Sequence, residues 1–346
     1  MKAVVCNKYG GPEVLSIENR PDPKPEANEV LIRVHNAGLT AADTFLRKGE
    51  PRFARLFTGL QKPKASVIGT CFSGTVIKVG SAVNRFQIGD AVFGEAGLSF
   101  GANAELLTVA EDQIIRKIPE FLSFESAALL CDGPLASFNF LTNVTTIKKN
   151  QAVLIIGASG SLGTAAVQIA KAIGAQVTGV CSSRNAAFVQ SLGADQVIAY
   201  DETPLEQIQS KYHVIFDTIR AHRFKEVRHL LKGSGVYLTP VLKFSMISEL
   251  IMNSFRGGKK VKFSATGLLK PPVLQGMLGQ VLKLIKKGDL RVTIEKRYAL
   301  QEVVAAHQHI ETGRKRGNIV LQVYPNRLIK PSSTAIASES EKAILA

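Results

Sequence analysis

Hydrophobic and polar positions change rhythm once along the chain. Up to about residue 122, short β-rich runs such as "EVLIRVHNAGL", "SGTVIKVG" and "GDAVFGE" are separated at short intervals by Gly, Pro, Asn and Asp. This pattern predicts an all-β region, with the Pro-rich "PDPKPEANE" at 21–29 as a turn within it. From about 123 the spacing becomes helical in "SFESAALLCDGPLASFNFLTNV", with Ser123 as a candidate N-cap ahead of Glu125 and Ser126. Strands and helices then alternate. Val153–Ile156 is a continuous apolar run, as expected of a strand buried on both faces. A helix over Leu162–Ile173, a strand over Val177–Val180, a helix over about Asn185–Leu192 and a strand over Gln196–Ala199 follow. "HVIFDT" (213–218), "GVYLTP" (235–240) and "VKFSAT" (261–266) supply three more strands. A β-α-β-α-β series with short connections predicts a parallel, doubly wound sheet. Past 267, "PVLQGMLGQVLKLIKKG" reads as a helix, and "YALQEVVAAHQHIETGRKRGNIVLQVY" as a helix and a last strand. The polar, alanine-rich tail from about Lys330 is expected to be frayed or disordered.

Composition narrows the class. A chain of 346 residues, 45% apolar and 21% charged, is long enough for two domains with sizeable cores and is of ordinary globular make-up. Cys6, Cys71, Cys131 and Cys181 lie far apart with no CxxC pair, which argues against a disulfide framework and a cysteine-based zinc site. A reducing, cytoplasmic setting is expected. The N-terminus reaches Gly-Gly-Pro before a signal-peptide apolar core forms. No run approaches the ~20 apolar residues of a spanning helix. The longest candidate, "PVLKFSMISELIMNSF", is broken by Lys243 and Glu249. The net charge of +15 is concentrated in the second half, where residues 220–330 carry 22 Lys/Arg against 6 Asp/Glu. That excess is either a solvated surface or a field for anions: a dinucleotide phosphate, an acidic lipid surface or nucleic acid.

The stretch "VLIIGASGSLGTAAVQIAKAIGAQVTGVCSSRN" carries the candidate chemistry. Gly157, Gly160 and Gly163 are spaced by three between a predicted buried strand and a predicted helix. Against the G-x-G-x-x-G dinucleotide fingerprint, Ala158 holds the first position, where a tight turn needs a small residue. Gly160 lets a pyrophosphate approach the backbone, and Gly163 lets the helix pack on the strand. Ala158, Ser159, Gly160, Ser161, Leu162 and Gly163 therefore form the expected cradle, with unpaired helix N–H groups facing the phosphates. An NAD site places a carboxylate at the end of the second strand, whereas Cys181 lies there and no acid follows until Asp195. Ser182 and Ser183 can donate hydrogen bonds, and Arg184 can pair with a phosphate, which favours NADP(H). Tyr200 is a candidate neighbour of the adenine, or an ordinary strand-end aromatic.

These blocks, together with "MKAVVCNKYGGPEVL", "PDPKPEANEVLIRVHNAGLTAADTFLRKG", "GTCFSGTVIKVGSAVNRFQIGDAVFG", "SFGANAELLTVAEDQIIRKIPEFLSFESAAL", "LGADQVIAYDE" and "ETGRKRGNIVLQV", span nearly the whole chain. In them the sequence resembles the zinc-independent branch of the medium-chain dehydrogenase/reductase superfamily. That branch contains quinone oxidoreductases, zeta-crystallin and alkenal or enone reductases. The resemblance implies an α/β chain: a GroES-like β-barrel domain over 1–122, completed by about 268–330, and a Rossmann-type NADP-binding domain over 123–267. Residues 331–346 would be a flexible tail. It also implies a cleft between the domains and dimerisation through an edge of the Rossmann sheet.

Zinc-dependent members bind metal at three positions that this chain has changed. "NAGLTAAD" lacks the cysteine, Gly69-Thr70-Cys71 stands at the Gly-His-Glu position, and Asp132, beside Cys131, falls near the last ligand. A thiol and a carboxylate without a third ligand make no tetrahedral catalytic site, so no zinc is expected. A metal-free hydride transfer needs a substrate that accepts hydride unaided, as a quinone or an α,β-unsaturated carbonyl does.

The resemblance places "GLTAADTFLRKG" in the cleft, but with Thr40 for the usual Asn and Phe45 for a Tyr. Thr40 is the candidate catalytic residue, as a positioning donor, and Asp43 a structural one. Ala136 stands where relatives carry a threonine, with Ser137 as a replacement hydroxyl. Arg220 follows "FDTI", and Asn318 in "GRKRGN" is a candidate amide contact to the cofactor. The six histidines show no ligand spacing and read mostly as surface or strand-end residues. No general acid stands out, so solvent is expected to protonate the product. The expected function is NADPH-dependent reduction of a quinone or enone by a homodimer. The alternative is a catalytically weak NADPH-binding protein whose basic half holds nucleic acid or an anionic surface.

Overall fold

A computed structural model describes residues 1–241 and 258–324. Most of the apolar stretch containing Lys243 and Glu249, and the tail from 325, lie outside the described residues. No helix among the described residues is long and apolar enough to cross a membrane.

Among the described residues, two large sheets organise the chain, beside a two-stranded antiparallel ladder of β1 (Lys2–Cys6) and β2 (Leu15–Asn19). The first has six parallel strands: β8 (Ala152–Ile156), β9 (Gln176–Cys181), β10 (Gln196–Ala199), β11 (Tyr212–Asp217), β12 (Leu231–Thr239) and β13 (Lys260–Phe263). Their spatial order is β10-β9-β8-β11-β12-β13, so the direction of winding reverses between β8 and β11. In such sheets ligands bind at that switch point, beyond the carboxyl ends of the strands. Period-2 alternation explains why β8 is apolar throughout. Val153 and Ile155 join a core cluster with Ala165, Ala166 and Ile169 of the helix Ser161–Ala172. Leu154 and Ile156 face the opposite way, onto Phe224, Val227 and Leu230.

The second sheet has seven strands. Its path is β14-β15-β3-β4-β5-β7, with β6 paired to β3. These are β3 (Glu29–Leu39), β4 (Cys71–Val79), β5 (Ala91–Glu95), β6 (Leu106–Ala110), β7 (Ile114–Lys117), β14 (Ile294–Ala299) and β15 (Asn318–Gln322). The last strand pairs antiparallel with β3, Ile319 opposite Leu39, so the chain end closes the sheet begun near its start. The helix Pro271–Lys287 packs Leu274, Met277, Leu278 and Val281 into the cluster of Val153 and Ile155. The second sheet resumes at β14, after this helix.

The first 122 residues are not all-β. The helix Ala41–Lys48 interrupts them, started by a capping box in which the Thr40 side chain accepts from Asp43 N and the Asp43 carboxylate accepts from Thr40 N. Ser123 does cap the helix Phe124–Ala127, accepting from Ser126 N.

Candidate active site

The glycine turn joins β8 to the helix Ser161–Ala172 at the switch point. Its glycines have three different reasons. Gly157 has φ 76°, the left-handed region, and takes the tight-turn role expected of the Ala158 position. Gly163 has no room for a side chain: a Cβ there would lie 2.1 Å from the Gly157 carbonyl oxygen. Gly160 is open, since a Cβ would find nothing closer than Gly157 O at 3.5 Å. Gly160 is also the helix N-cap and supplies no capping side chain, so first-turn N–H groups remain available to an anion. The strand-turn-helix thus forms a cradle on the wall of a groove of about 570 Å³.

Ser159, Gly160, Ser161, Leu162, Ser182, Arg184 and Tyr200 line this groove. Four other candidates do not. Ala158 is fully buried, its methyl against Gly179, and Gly163 lies beneath the turn. Ser183 is turned to Asp201, donating from both N and Oγ at 2.8 Å. Asn318 is buried, its amide donating to Thr293 O at 3.0 Å and its Oδ1 accepting from Ser161. It fixes Ser161 and does not itself line the groove. Arg184 donates to Arg314 O at 2.9 Å.

Asp201 corrects the reading that no acid comes near this strand end. Parallel pairing sets Ala199 beside Cys181, so the residue two positions on from Ala199 folds back over Ser183. Hydrogen bonds from Ser183, with the nearby Arg184 charge, hold the Asp201 carboxyl below its ordinary range. Arg314 and Lys315 also line the groove and were missed in the sequence. Their loop is tied to the glycine turn through Gly317 N to Ser159 O at 2.8 Å. Burial lowers the Lys315 pKa, opposed by Asp132 and Glu295.

A second cavity, of about 410 Å³, shares Ala41, Asp132, Leu162 and Thr218 with the groove. Phe45, Leu98, Phe100 and Leu268 give it an apolar wall, and Thr40, Cys71, Glu95 and Ala136 complete the part nearest the groove. The Thr40 hydroxyl donates to Asp43 Oδ2 at 3.0 Å, so its proton is already committed. Burial pushes the Asp43 carboxyl up to about 6 against three hydrogen bonds that favour its charge. Ser137 donates to Leu162 O at 2.8 Å, bracing the helix start, and does not replace a hydroxyl at Ala136. Arg220 adopts φ 50° and is buried. His307 is fully buried, its pKa lowered to about 4 by burial, so it is no surface histidine.

Burial also raises the Cys71 and Cys131 thiols well above their ordinary range, helped by Glu95 and Asp132. Among the described residues no three His, Cys, Asp or Glu side chains are grouped to hold a metal.

Residues 26–120 match the alcohol dehydrogenase GroES-like domain, and residues 192–321 match the family described as zinc-binding dehydrogenase. The chain is 30% identical over 337 residues to a quinone oxidoreductase of Pseudomonas aeruginosa, covering 92% of this chain and 99% of that protein. It is 29% identical to the chloroplastic NADPH-dependent alkenal/one oxidoreductase of Arabidopsis thaliana, covering 94% of this chain and 80% of that protein. The solved quinone oxidoreductase of Coxiella burnetii superposes with a TM-score of 0.81 at 32% identity, over 94% of this chain and 99% of that one.

Proposed function

Because the chain belongs to the medium-chain dehydrogenase/reductase superfamily, in its quinone oxidoreductase branch, we propose that it is an NADPH-dependent, zinc-independent reductase of quinones or α,β-unsaturated carbonyls. The observation that carries this is the open face of Gly160 at a helix N-terminus, set at the switch point and continuous with an apolar cavity. Ser159, Gly160, Ser161 and Leu162 would hold the pyrophosphate with backbone N–H groups and the helix dipole. Ser182 and Arg184 would take the 2′-phosphate. Asp201 lies close enough to Arg184 to weaken, not abolish, that preference. When bound, the nicotinamide supplies a hydride.

The residues of the second cavity orient and shield. Phe45, Leu98 and Leu268 exclude water from a flat conjugated substrate, and the Thr40–Asp43 box fixes the helix that carries Phe45. With no fitting metal donors to polarise a plain carbonyl, the substrate must delocalise charge itself, which a quinone or an enone does. The relatives lend no support to a nucleic-acid or anionic-surface role. Four free, buried cysteines suit a reducing cytoplasmic setting, and an edge of the parallel sheet, β13, suits a homodimer. The test is NADPH and NADH consumption with a panel of quinones, alkenals and enones in metal-depleted buffer, alongside elemental analysis. Turnover of at least one substrate class with NADPH preferred and no stoichiometric zinc supports the proposal. Turnover of none, or activity that requires zinc, refutes it.

A further inference from the structure

Among the described residues, the hydroxyls expected where the substrate cavity meets the groove are missing or engaged, and those of Ser264 and Thr266, which also line the cavity, accept from Asn139. Phe45 and Ala136 carry none, the Thr40 hydroxyl donates to Asp43, and the nearby Ser137 hydroxyl donates to Leu162 O. A reductase of this kind still needs one proton per turnover. We propose that Glu95 is the general acid that delivers it. This rests on the reductase reading above.

Glu95 ends β5 and pairs across the ladder with Cys71. Its carboxyl lines the cavity that also contains Asp132 and Leu162, which belong to the groove wall as well. Gly267 closes over it: a Cβ at Gly267 would lie 3.2 Å from Glu95 Oε1, so the glycine leaves that oxygen room. Among the described residues no hydrogen bond contributes to the charge state of Glu95; burial raises its pKa to about 8, with the Asp132 and Asp43 carboxylates adding to the rise. The titratable groups around it differ in what they can do. The Asp43 carboxylate accepts two hydrogen bonds from Thr40, and its pKa is about 6. Burial raises the Asp132 pKa, opposed by the Lys315 charge and by the hydrogen bond it accepts from Ser161. Cys71 and Cys131 are held as thiols, too weakly acidic to give up a proton. Near neutral pH Glu95 is thus a protonated carboxyl on the cavity wall, the state a general acid requires.

The step balances. Once hydride has reached the β carbon of an enone, the electron pair resides on the enolate. The Glu95 O–H bond breaks, the proton joins the enolate at oxygen or the α carbon, and the carboxylate is reprotonated by solvent. For a quinone the same proton joins the hydroquinone oxyanion.

The test uses the full chain with NADPH and two probes, 9,10-phenanthrenequinone and but-3-en-2-one, comparing wild type with Glu95→Gln and Glu95→Asp. Wild-type kcat should fall as pH rises through about 8, where the acid loses its proton. Glu95→Gln should lose about 10²-fold or more in kcat at pH 7 and lose that limb, with NADPH affinity unchanged. Glu95→Asp should restore the limb. Independently of turnover, infrared spectra of the nucleotide-free protein should show a protonated-carboxyl band at pH 7 that titrates away near 8 and is missing in Glu95→Gln. Wild-type turnover with an unchanged pH profile in Glu95→Gln, or no such band, overturns the assignment alone. Absence of wild-type turnover overturns the reductase reading and this one with it.

Discussion

Replacing Gly160 by alanine separates binding from folding. Its φ of −80° is ordinary for any residue, and the new methyl would have Gly157 O at 3.5 Å as its nearest neighbour, ordinary van der Waals contact. The only folding cost is the exchange of glycine for alanine at an N-cap, about 1 kcal/mol or less. For a chain of this size that moves Tm by about 4 °C at most. The methyl would, however, fill the face on which a pyrophosphate must lie. Crowding of this kind costs about 1–3 kcal/mol, or roughly 5- to 150-fold in Kd for NADPH. Gly163→Ala should do the reverse. Its Cβ would meet Gly157 O at 2.1 Å and Ala158 Cα at 2.7 Å, forcing the helix off the strand with or without nucleotide. Thermal melts of the nucleotide-free variants, followed by fluorescence titration with NADPH, read both quantities. A Gly160→Ala protein that melts near wild type and binds NADPH as tightly would refute the placement of the phosphates. So would a Gly163→Ala protein of unchanged Tm refute the packing role of that glycine.

Three further outcomes are expected. Arg184→Ala should weaken NADPH binding about tenfold and leave NADH within a factor of about two, as one exposed charge-assisted contact allows; equal effects in competition titrations would assign Arg184 elsewhere. A folded-state pKa raised from 4.5 to about 8 means that Glu95 retains in the folded chain a proton it loses when unfolded. Stability should therefore fall as pH rises from about 5 to 8, and Glu95→Gln should flatten that decline in urea-melt stabilities measured at each pH. Arg47 is fully buried, bonded to Gly10 O and paired with Glu311, so Arg47→Ala should destabilise by about 3 kcal/mol in denaturant melts, from lost packing and a carbonyl left without its donor.

The parallel sheet and its turn were readable because their causes are local. β8 is apolar at every second-face position, and the glycines sit at fixed spacing beside it. Less legible was what long-range pairing brings together. Asp201 reaches Ser183 through the β9–β10 register, and Lys315 reaches Asp132 through a loop from the far end of the chain. Glu95 reads as the polar end of a strand until β4, the Gly267 loop and the head of the helix Gly133–Asn139 close around it. The helix Ala41–Lys48 was hidden by its β-rich surroundings, although Thr40 and Asp43 are spaced as a capping box. Ser183 and Asn318 have the right chemistry for a cofactor but point at Asp201 and Thr293, a side-chain orientation that spacing alone does not encode.

Hydride transfer itself is the most direct test. But-3-en-2-one would be reduced with NADPH deuterated at the transferring position of C4, and the product analysed by mass spectrometry and NMR. One deuterium on the former β carbon of butanone, with a slowed hydride step, is the expected result. NADPH oxidised with no deuterium in the organic product, or deuterium found on the carbonyl carbon of an alcohol, would contradict it.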